Sequence, residues 1–315
     1  GNFMKKIQRA VHEKGRAING LFLAGLRAGQ RLHGDGFRRP PLLTRAAAWP
    51  VYRLADALVF RRVRRTFGSG IRFFVGGGAL LDVGQQEFFK ALGLPVYQGY
   101  GLTEAAPVIS SNTPKAHKLG SSGRLAPSVR CRIVTDEGRE AGVGEKGEIV
   151  VQGENVMKGY FRNPRATREA LRGGWLYTGD LGHLDADGFL HVIGREKALL
   201  IAEDGEKYSP EEIEEAIVNC SSFVSQIMLF NDHCRYTTAL VVLDGEKTRE
   251  TVAVTPALAR ADGLIEGVRQ SLADFQSREA YRDRFPPRWL PATFQVLPEP
   301  FSLQNRMLNS TLKIV

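Results

Sequence analysis

Residues 71–101 read IRFFVGGGALLDVGQQEFFKALGLPVYQGYG, and this stretch decides the fold class. A short apolar run at 71–75 predicts a strand, and 94–101 predicts a second short strand that runs into a loop. Between them, 82–93 has helical spacing and ends at a glycine, which is typical of a helix C-cap. A strand, a glycine turn, a helix and a strand in this order indicate an α/β sheet with a site at its strand ends.

The second strand runs into QGYGLTE at 98–104, which combines glycines, a ring, a hydroxyl and an acid. Tyr100 has the flat ring that stacks on a purine, and glycines on both sides let the loop pass beneath it. Thr103 is able to donate to a phosphate or carboxylate oxygen. Glu104 offers the oxygen ligand that Mg²⁺ prefers beside phosphates. The alternative, a surface loop with a helix N-cap at Thr103, accounts for Thr103 but not for the whole set.

Four further stretches carry residues that suit a nucleotide site, although each has an ordinary structural explanation. The glycines at 76–78 let a ligand approach the backbone, and a tight turn explains them equally well. Asp180 lies between two glycines in LYTGDLG, where it is either an acceptor for ribose hydroxyls or an aspartate in a turn. Arg195, Lys197 and Lys313 are by default solvated charges. The chain contains no GxxxxGKS/T phosphate loop.

Length and composition narrow the class of protein. The 315 residues suffice for two domains with a sizeable core, and the composition is that of an ordinary globular protein. The three cysteines form no CxxC pair and no zinc pattern, so we expect them to be reduced and buried in a cytosolic protein. No apolar run has the length of a membrane span, and no signal peptide is visible. The chain begins with glycine and ends directly after a patterned stretch, so we expect a fragment cut at both ends.

The net charge of +9 is concentrated in the first quarter of the chain. Residues 1–72 hold 16 lysines and arginines against 3 acids, whereas the remaining residues hold 27 against 31. We expect a helix over 4–32, an irregular connection over 33–50, and then a second basic helix with Leu54, Leu58, Val59 and Val63 on one side. Basic amphipathic helices favour an anionic membrane surface, since no nucleic-acid-binding motif accompanies the charge.

The order of these stretches resembles that of the AMP-forming adenylate-forming enzymes. GGGA, QGYGLTE, GEIVVQGENVMKGYFRNP, LYTGDLG, GREK with DGEKYSPEEIE, and TLK follow one another as in that family. GYGLTEAAPVISSN and LLIAEDGEKYSPEEIEEAI are most similar to its long-chain fatty-acid–CoA ligase branch. The resemblance extends from about residue 50 to the end of the chain.

The resemblance implies an α/β fold built from part of a large adenylate-forming domain, with mixed sheets and helices, and a small mobile α+β domain. The implied domains are 1–194, with basic helices in 1–66 before the nucleotide-site core, and 195–315, with a hinge near 195–197. The Ser/Thr/Gly-rich phosphate loop of the family, which ends in Pro-Lys-Gly, does not occur in the chain. We therefore expect the fragment itself to be inactive or severely impaired.

The resemblance also implies a role for each candidate residue. The implied residues of the adenine and acyl pocket are Gly77, Gly78, Ala79, Gln98, Gly99, Tyr100 and Gly101. Asp180 and Arg195 would hold the ribose, and Lys197 would act as the hinge. The implied catalytic residues are Thr103 at the phosphate, Glu104 at the magnesium ion and Lys313, which would bridge the substrate carboxylate and the α-phosphate. Two departures are Gly76 in place of serine and Leu80 in place of proline.

The implied reaction activates a long-chain fatty acid. The acid attacks the α-phosphorus of ATP in the presence of Mg²⁺, and the thiol of CoA then displaces AMP from the acyl adenylate. The alternatives are a ligase for another acid or a carrier-protein acceptor, and a nucleotide-binding module without catalysis. The implied partners are fatty acid, ATP and CoA, without nucleic acid, in the cytoplasm with peripheral contact at the inner face of the membrane. The sequence does not indicate an oligomeric state.

Overall fold

The computed structural model describes residues 2–68, 70–78, 81–221, 224–245, 248–249, 261–277, 281 and 285–307. The chain divides into two compact units, Gly1–Glu196 and Lys197–Val315. Each unit combines helices with β-sheets, so the mixed α/β class predicted from the sequence is confirmed. In the described ranges, no helix is long and apolar enough to cross a membrane.

The first unit begins with a helical part. Its elements are α1 (Asn2–His12), α2 (Arg16–His33), α3 (Leu42–Ala55), a π-helical segment (Asp56–Phe60) and α4 (Arg61–Phe67). The single helix predicted over 4–32 is wrong, because Gly15 adopts φ 102° between α1 and α2. The irregular connection predicted over 33–50 is also wrong in its second half. There α3 runs through Pro50, since the alanines at 46–48 are strong helix formers.

The apolar side predicted for the second basic helix is only partly correct. Val59 is buried, whereas Leu54 and Leu58 are about half exposed, at 54% and 46%. Leu58 and Val59 lie in the π-helical segment, whose hydrogen bonds from i to i+5 break the regular α-helical spacing that the prediction assumed. The buried ring of Phe22 instead packs edge-on against Phe60 at 5.8 Å, and this pair anchors α2 to the segment.

The predicted strand–helix–strand unit is present. Its elements are β1 (Phe74–Gly76), α5 (Val83–Ala91) and β2 (Val96–Gly101), followed by β3 (Val108–Ser111) and β4 (Arg124–Leu125) in a sheet of order β1-β2-β3-β4. The side chain of Asp82 caps α5 by accepting from the N–H of Gln85 at 3.2 Å. Gly93, at φ 80°, follows the last turn. Since β1 and β2 are parallel, their carboxyl ends and the glycines that follow β1 lie side by side.

A second sheet in this unit is antiparallel. Its strands are β5 (Val129–Val134), β6 (Gly147–Gly153), β7 (Leu171–Arg172), β8 (Trp175–Leu184) and β9 (Leu190–Arg195), with β8 between β6 and both β7 and β9. Helix α6 (Pro164–Ala170) precedes β7. Ile109 of β3 shares one buried core with Ile149, Leu176 and Leu190 of this sheet. This shared core holds the two sheets together and so fixes β2 relative to β8.

The second unit is built around two three-stranded sheets. Its strands are β10 (Leu200–Ala202), β11 (Lys207–Tyr208), β12 (Val224–Phe230), β13 (Asp232–Cys234), β14 (Thr237–Leu243) and β15 (Pro291–Leu297), in the orders β11-β10-β13 and β12-β14-β15. Within its described ranges, the α-helices are α7 (Pro210–Cys220) and α8 (Ala261–Ser277). Ser209 precedes α7 and Pro210 begins it, although the Ser209 side chain makes no capping hydrogen bond. Ile213 and Ile217 of α7 pack against Val241 and Phe275 in the core.

The cysteines are free thiols, as expected, but the prediction that they are buried is wrong. Cys234 is exposed, and Cys131 and Cys220 are only half-buried. The absence of CxxC and zinc patterns bears on the chemistry of these thiols and does not determine their burial. Cys234 instead ends the short strand β13, whose residues are all exposed.

Glu214 on α7 provides a pH test of the second unit. Its Oε1 accepts a hydrogen bond from the N–H of Leu229 at 2.7 Å. Burial raises the pKa of Glu214 to about 7, and the nearby Glu211 adds to this shift. The folded carboxyl therefore binds its proton more tightly than the unfolded one, so its contribution to stability is present at low pH and is lost as the pH rises through 7.

We expect Glu214→Gln to stabilise this unit by about 2 kcal/mol at pH 8 and by less than about 1 kcal/mol at pH 5. Native-state hydrogen exchange in α7 measures both free energies of unfolding. Glu203→Gln, at an exposed position of the same unit, is the matched control. We expect it to leave the free energy of unfolding unchanged at both pH values. A stabilisation of equal size at the two pH values would contradict the assignment.

Candidate active site

Asp180 lies within β8 and is buried, with 5% of its surface exposed. It pairs across the strands with Arg195 of β9, and its Oδ1 lies 3.4 Å from Arg195 Nε. Its own N–H donates to the hydroxyl of Thr178 at 3.1 Å, and that hydroxyl donates to the carbonyl oxygen of Ile149 at 2.7 Å. Gly179, at φ 70°, makes the local bend that this arrangement requires. The backbone and its neighbours therefore hold the carboxylate in one position.

Tyr100 connects the two sheets of the first unit at this carboxylate. Its hydroxyl donates to Oδ2 of Asp180 at 2.6 Å, although the two residues are 80 positions apart. Burial, together with the negative charge of Asp180, raises the pKa of Tyr100 well above its usual value. The phenol therefore stays protonated at every pH of interest and remains a donor to Asp180.

Glu104 lies in the short 3₁₀ turn Thr103–Ala105 that follows β2. Its Oε1 accepts from the hydroxyl of Tyr160 at 2.9 Å, and its carbonyl oxygen accepts from the N–H of Met157 at 2.8 Å. The side-chain amide of Asn155 donates to the carbonyl oxygen of Ala105 at 2.7 Å. The segment that contains ENVMKGY thus supports the turn from one side.

Tyr160 is a site residue that the sequence interpretation did not single out. Burial and its hydrogen bond to Glu104 raise the pKa of the Tyr160 phenol, while the charge of Arg195 nearby lowers it. The hydrogen bond places the Tyr160 hydroxyl directly beside Glu104. Tyr160 belongs to one of the stretches on which the family resemblance rests, GEIVVQGENVMKGYFRNP. Nothing in that stretch indicates which of its residues faces the turn Thr103–Ala105.

The glycines at the ends of β1 and β2 differ in how much room their surroundings and backbone conformations leave for a side chain. A Cβ on Gly101 would overlap the carbonyl oxygen of Pro107, and one on Gly99 would lie 3.2 Å from the carbonyl oxygen of Ser110. Gly78 needs glycine because it adopts φ 83°. A Cβ on Gly77 would lie 3.8 Å from the Gly99 carbonyl oxygen, an ordinary contact that also shows how closely the triple glycine approaches β2.

The remaining candidate residues differ in their placement. Gln98 is buried in β2, and its carbonyl oxygen accepts from the side-chain amide of Asn112 at 3.1 Å. Thr103 is exposed at the start of the 3₁₀ turn. The backbone of Lys197 lies in the 3₁₀ turn Glu196–Ala198. Ala79 and Lys313 lie outside the described residues.

Glu104 suits a magnesium ion that is shared with phosphates. Among the described residues, no group of three or more His, Cys, Asp or Glu side chains could hold a metal ion. Mg²⁺ is commonly bound by one or two carboxylates together with substrate phosphates and water. A single carboxylate beside a nucleotide site therefore fits this mode and does not fit a cage made by the protein alone.

The chain is similar to known proteins in sequence and in fold. Residues 42–161 match the family model described as AMP-binding enzyme. The chain is 34% identical over 287 residues to the long-chain-fatty-acid–CoA ligase FadD15 of Mycobacterium bovis, a match that covers 87% of this chain and 44% of that protein. It is 30% identical over 286 residues to the chloroplastic long-chain-fatty-acid–acyl-carrier-protein ligase AEE15 of Arabidopsis thaliana, covering 85% and 37%.

A solved structure extends the comparison to the fold. O-succinylbenzoate coenzyme A synthetase of Bacillus subtilis, in complex with ATP and magnesium ion, is 29% identical to the chain with a TM-score of 0.61. The match covers 83% of this chain and 49% of that one. The chain thus spans less than half the length of each of these relatives. The family model, the sequence relatives and the fold lead to one conclusion. The chain belongs to the AMP-forming adenylate-forming superfamily, on its acyl-CoA synthetase branch.

Proposed function

We propose that the chain supplies the adenosine- and magnesium-binding part of a ligase that activates a long-chain fatty acid with ATP and transfers it to CoA. One observation carries the proposal. Tyr100, Asp180 and Arg195 meet where two sheets join, beside the turn that bears Glu104. The arrangement offers a ring for a purine, an acceptor for a ribose and an acid for a magnesium ion.

Asp180 is the proposed ribose acceptor. A carboxylate has about four acceptor positions on its two oxygens, and the Tyr100 hydroxyl takes one of them. The ribose hydroxyls would donate to this carboxylate, while the guanidinium of Arg195 balances its negative charge. Tyr100 is half-buried, so part of its ring stays exposed for stacking on the adenine.

Glu104 and Thr103 are the proposed contacts to the phosphate end of ATP. Magnesium bound with ATP supplies positive charge to the phosphates during the attack by the acid. Glu104 would provide one oxygen ligand to it, and Tyr160 would keep that carboxylate oriented. Thr103, whose side chain is exposed beside it, would donate to a phosphate oxygen.

The remaining roles are proposed from the family resemblance. Gly77, Gly78 and Ala79 would line the pocket for the adenine and the acid. Lys313 would bridge the acid and the α-phosphate in the first step. Rotation about Lys197 would carry the domain 195–315 away for the second step, in which CoA attacks.

The names of the relatives support a choice of acid for this proposal. Two sequence relatives are named for long-chain fatty acids, which favours such an acid here. The structural relative acts on O-succinylbenzoate by its name, and one relative is named for a carrier protein, so another acid or another thiol is the second candidate. Peripheral contact of the basic segment 1–72 with an anionic membrane would suit an acid that partitions into lipid.

ATP–pyrophosphate exchange tests the proposal. The assay uses the longest open reading frame that contains this chain, with Mg²⁺ and with lauric, palmitic or stearic acid, and with O-succinylbenzoate as the matched control. We expect exchange that depends on a fatty acid, and acyl transfer to CoA rather than to an acyl-carrier protein. Exchange with the aryl acid alone would reassign the substrate, and AMP binding without exchange for any acid would favour a non-catalytic nucleotide-binding module.

A further inference from the structure

A cavity of about 380 Å³ lies in the first unit, at the start of β2 and not at its Glu104 end. From Tyr97 to Gly101 the strand covers about 13 Å, so this cavity is separate from the proposed ATP site. The polar side chains that line it are His33, Tyr52, Lys90, Tyr97, Lys115 and His117. We call it the Lys90 cavity, and the proposed reaction uses none of these side chains.

His117 presents a hydrogen-bond donor to this cavity. It is only 6% exposed, and its Nδ1 lies 3.2 Å from Nζ of Lys90. An ammonium group only donates, so Nδ1 accepts, and the proton of the neutral imidazole is therefore on Nε2. Nε2 is buried and has no hydrogen-bond partner among the described residues. Since buried donors in proteins are nearly always paired, this one requires an acceptor inside the cavity, which either water or a bound ligand supplies.

The charges around the cavity attract an anion. Burial lowers the pKa of Lys90 to about 8, which leaves its ammonium charged at pH 7. Burial, together with the positive charge of Lys90, lowers the pKa of His117 to about 4, so its ring is neutral there. Lys115 adds a second cation on an exposed part of the wall. The charge of Asp35 raises the pKa of Lys90 in part, and this carboxylate accepts from the N–H groups of Phe37 and Arg38 in its own turn.

The backbone around Lys90 leaves room for this ammonium group. A Cβ on Gly36 would overlap Nζ of Lys90, so only glycine allows the lysine to reach this position. Nε2 of His33 is a second buried ring nitrogen without a partner among the described residues. The donors thus come from α2, α5 and the 112–120 segment, on different walls of the cavity.

We propose that the Lys90 cavity binds a phosphate group, carried either by a small soluble ligand or by a lipid headgroup. A phosphate presents three or four oxygens in tetrahedral directions, which suits donors on several walls better than the two coplanar oxygens of a carboxylate. The volume exceeds that of the phosphate alone and falls in the range of small-molecule sites. The rings of Phe37 and Tyr52 would contact the remainder of the ligand.

The test is a titration of the 315-residue chain with inorganic phosphate at constant ionic strength. Calorimetry measures the affinity, and NMR of ¹⁵N-labelled histidine side chains follows Nε2 of His117. We expect a saturable shift of this resonance and an affinity lowered at least tenfold in Lys90→Met. Lys146→Met removes an exposed lysine outside the cavity, and we expect it to bind phosphate like the unaltered chain.

A second variant keeps the test decisive if Lys90→Met does not fold. Lys115→Met alters an exposed residue, and we expect it to lower the affinity about two- to fivefold, as for an exposed ion pair. Equal affinities in Lys90→Met, Lys115→Met and Lys146→Met would overturn the proposal, and so would the absence of any saturable shift at His117. AMP binding at the Tyr100 and Asp180 site is measured separately, so either result leaves the proposed function untouched.

Vesicles distinguish the two sources of the phosphate. Phosphatidylcholine vesicles with and without phosphatidic acid are compared for the unaltered chain and for Lys90→Met. Retention that requires both phosphatidic acid and Lys90 identifies a lipid headgroup, and binding of free phosphate without such retention identifies a soluble ligand. The proposal would be overturned if Lys90→Met were retained on phosphatidic acid vesicles as well as the unaltered chain and if phosphate caused no shift at His117. The basic helices would then account for the binding to the vesicles.

Discussion

Replacing Asp180 with alanine is expected to weaken AMP binding to this chain at least about 100-fold, because hydrogen bonds to a charged group contribute about 1.5–3 kcal/mol each. Two ribose hydroxyls would lose their acceptor. The buried hydroxyl of Tyr100 would lose its partner as well, and Arg195 would lose its ion pair. Calorimetric titration with AMP, with and without Mg²⁺, measures the change.

Two further variants separate the loss of binding from a loss of folding. Asp180→Asn keeps the shape and one acceptor oxygen for Tyr100, so we expect it to fold and to bind AMP more weakly than the unaltered chain. Tyr100→Phe keeps the stacking ring and removes only the hydroxyl, so we expect a loss below about tenfold. Asp232→Ala, at an exposed carboxylate of the second unit, is the control. Unchanged AMP affinity in both Asp180 variants would show that the ribose is bound elsewhere.

Gly101→Ala is expected to destabilise the first unit by about 3 kcal/mol or more, since overpacking a closed site costs about 1–3 kcal/mol and backbone atoms yield less than side chains. The new Cβ would overlap the carbonyl oxygen of Pro107, whose oxygen already accepts from the N–H of Leu102 at 2.8 Å. That turn cannot open without breaking this hydrogen bond. For a unit of this size, the melting temperature should fall by about 10 °C.

The neighbouring glycines supply a graded control series. Gly99→Ala places its Cβ 3.2 Å from the Ser110 carbonyl oxygen, so an intermediate loss of stability is expected. Gly77→Ala places its Cβ 3.8 Å from the nearest atom, so the change should stay within about 0.5 kcal/mol. Thermal unfolding of the three variants gives the order. A Gly101→Ala variant as stable as Gly77→Ala would refute the close approach of Pro107.

Local patterns predicted the parts of the fold that depend on near neighbours in the chain. The strand–helix–strand order of 71–101 and the end of α5 near Gly93 both arise from residues close together in the chain. The same reasoning failed where an element depends on its surroundings. Helix α3 continues through Pro50, and the π-helical segment changes the face that is buried.

The residues of the site also show which features depend on the sequence alone and which depend on the tertiary structure. The sequence by itself determined which residues have the chemistry for a nucleotide: the ring of Tyr100, the carboxylates of Glu104 and Asp180, and the glycines around them. Tertiary structure alone decided that Tyr100 donates to Asp180 across 80 positions and that Tyr160 holds Glu104 across 56. Such pairs form only when two sheets share one core, because burial of that core, and not any local preference, supplies the free energy that brings distant residues together.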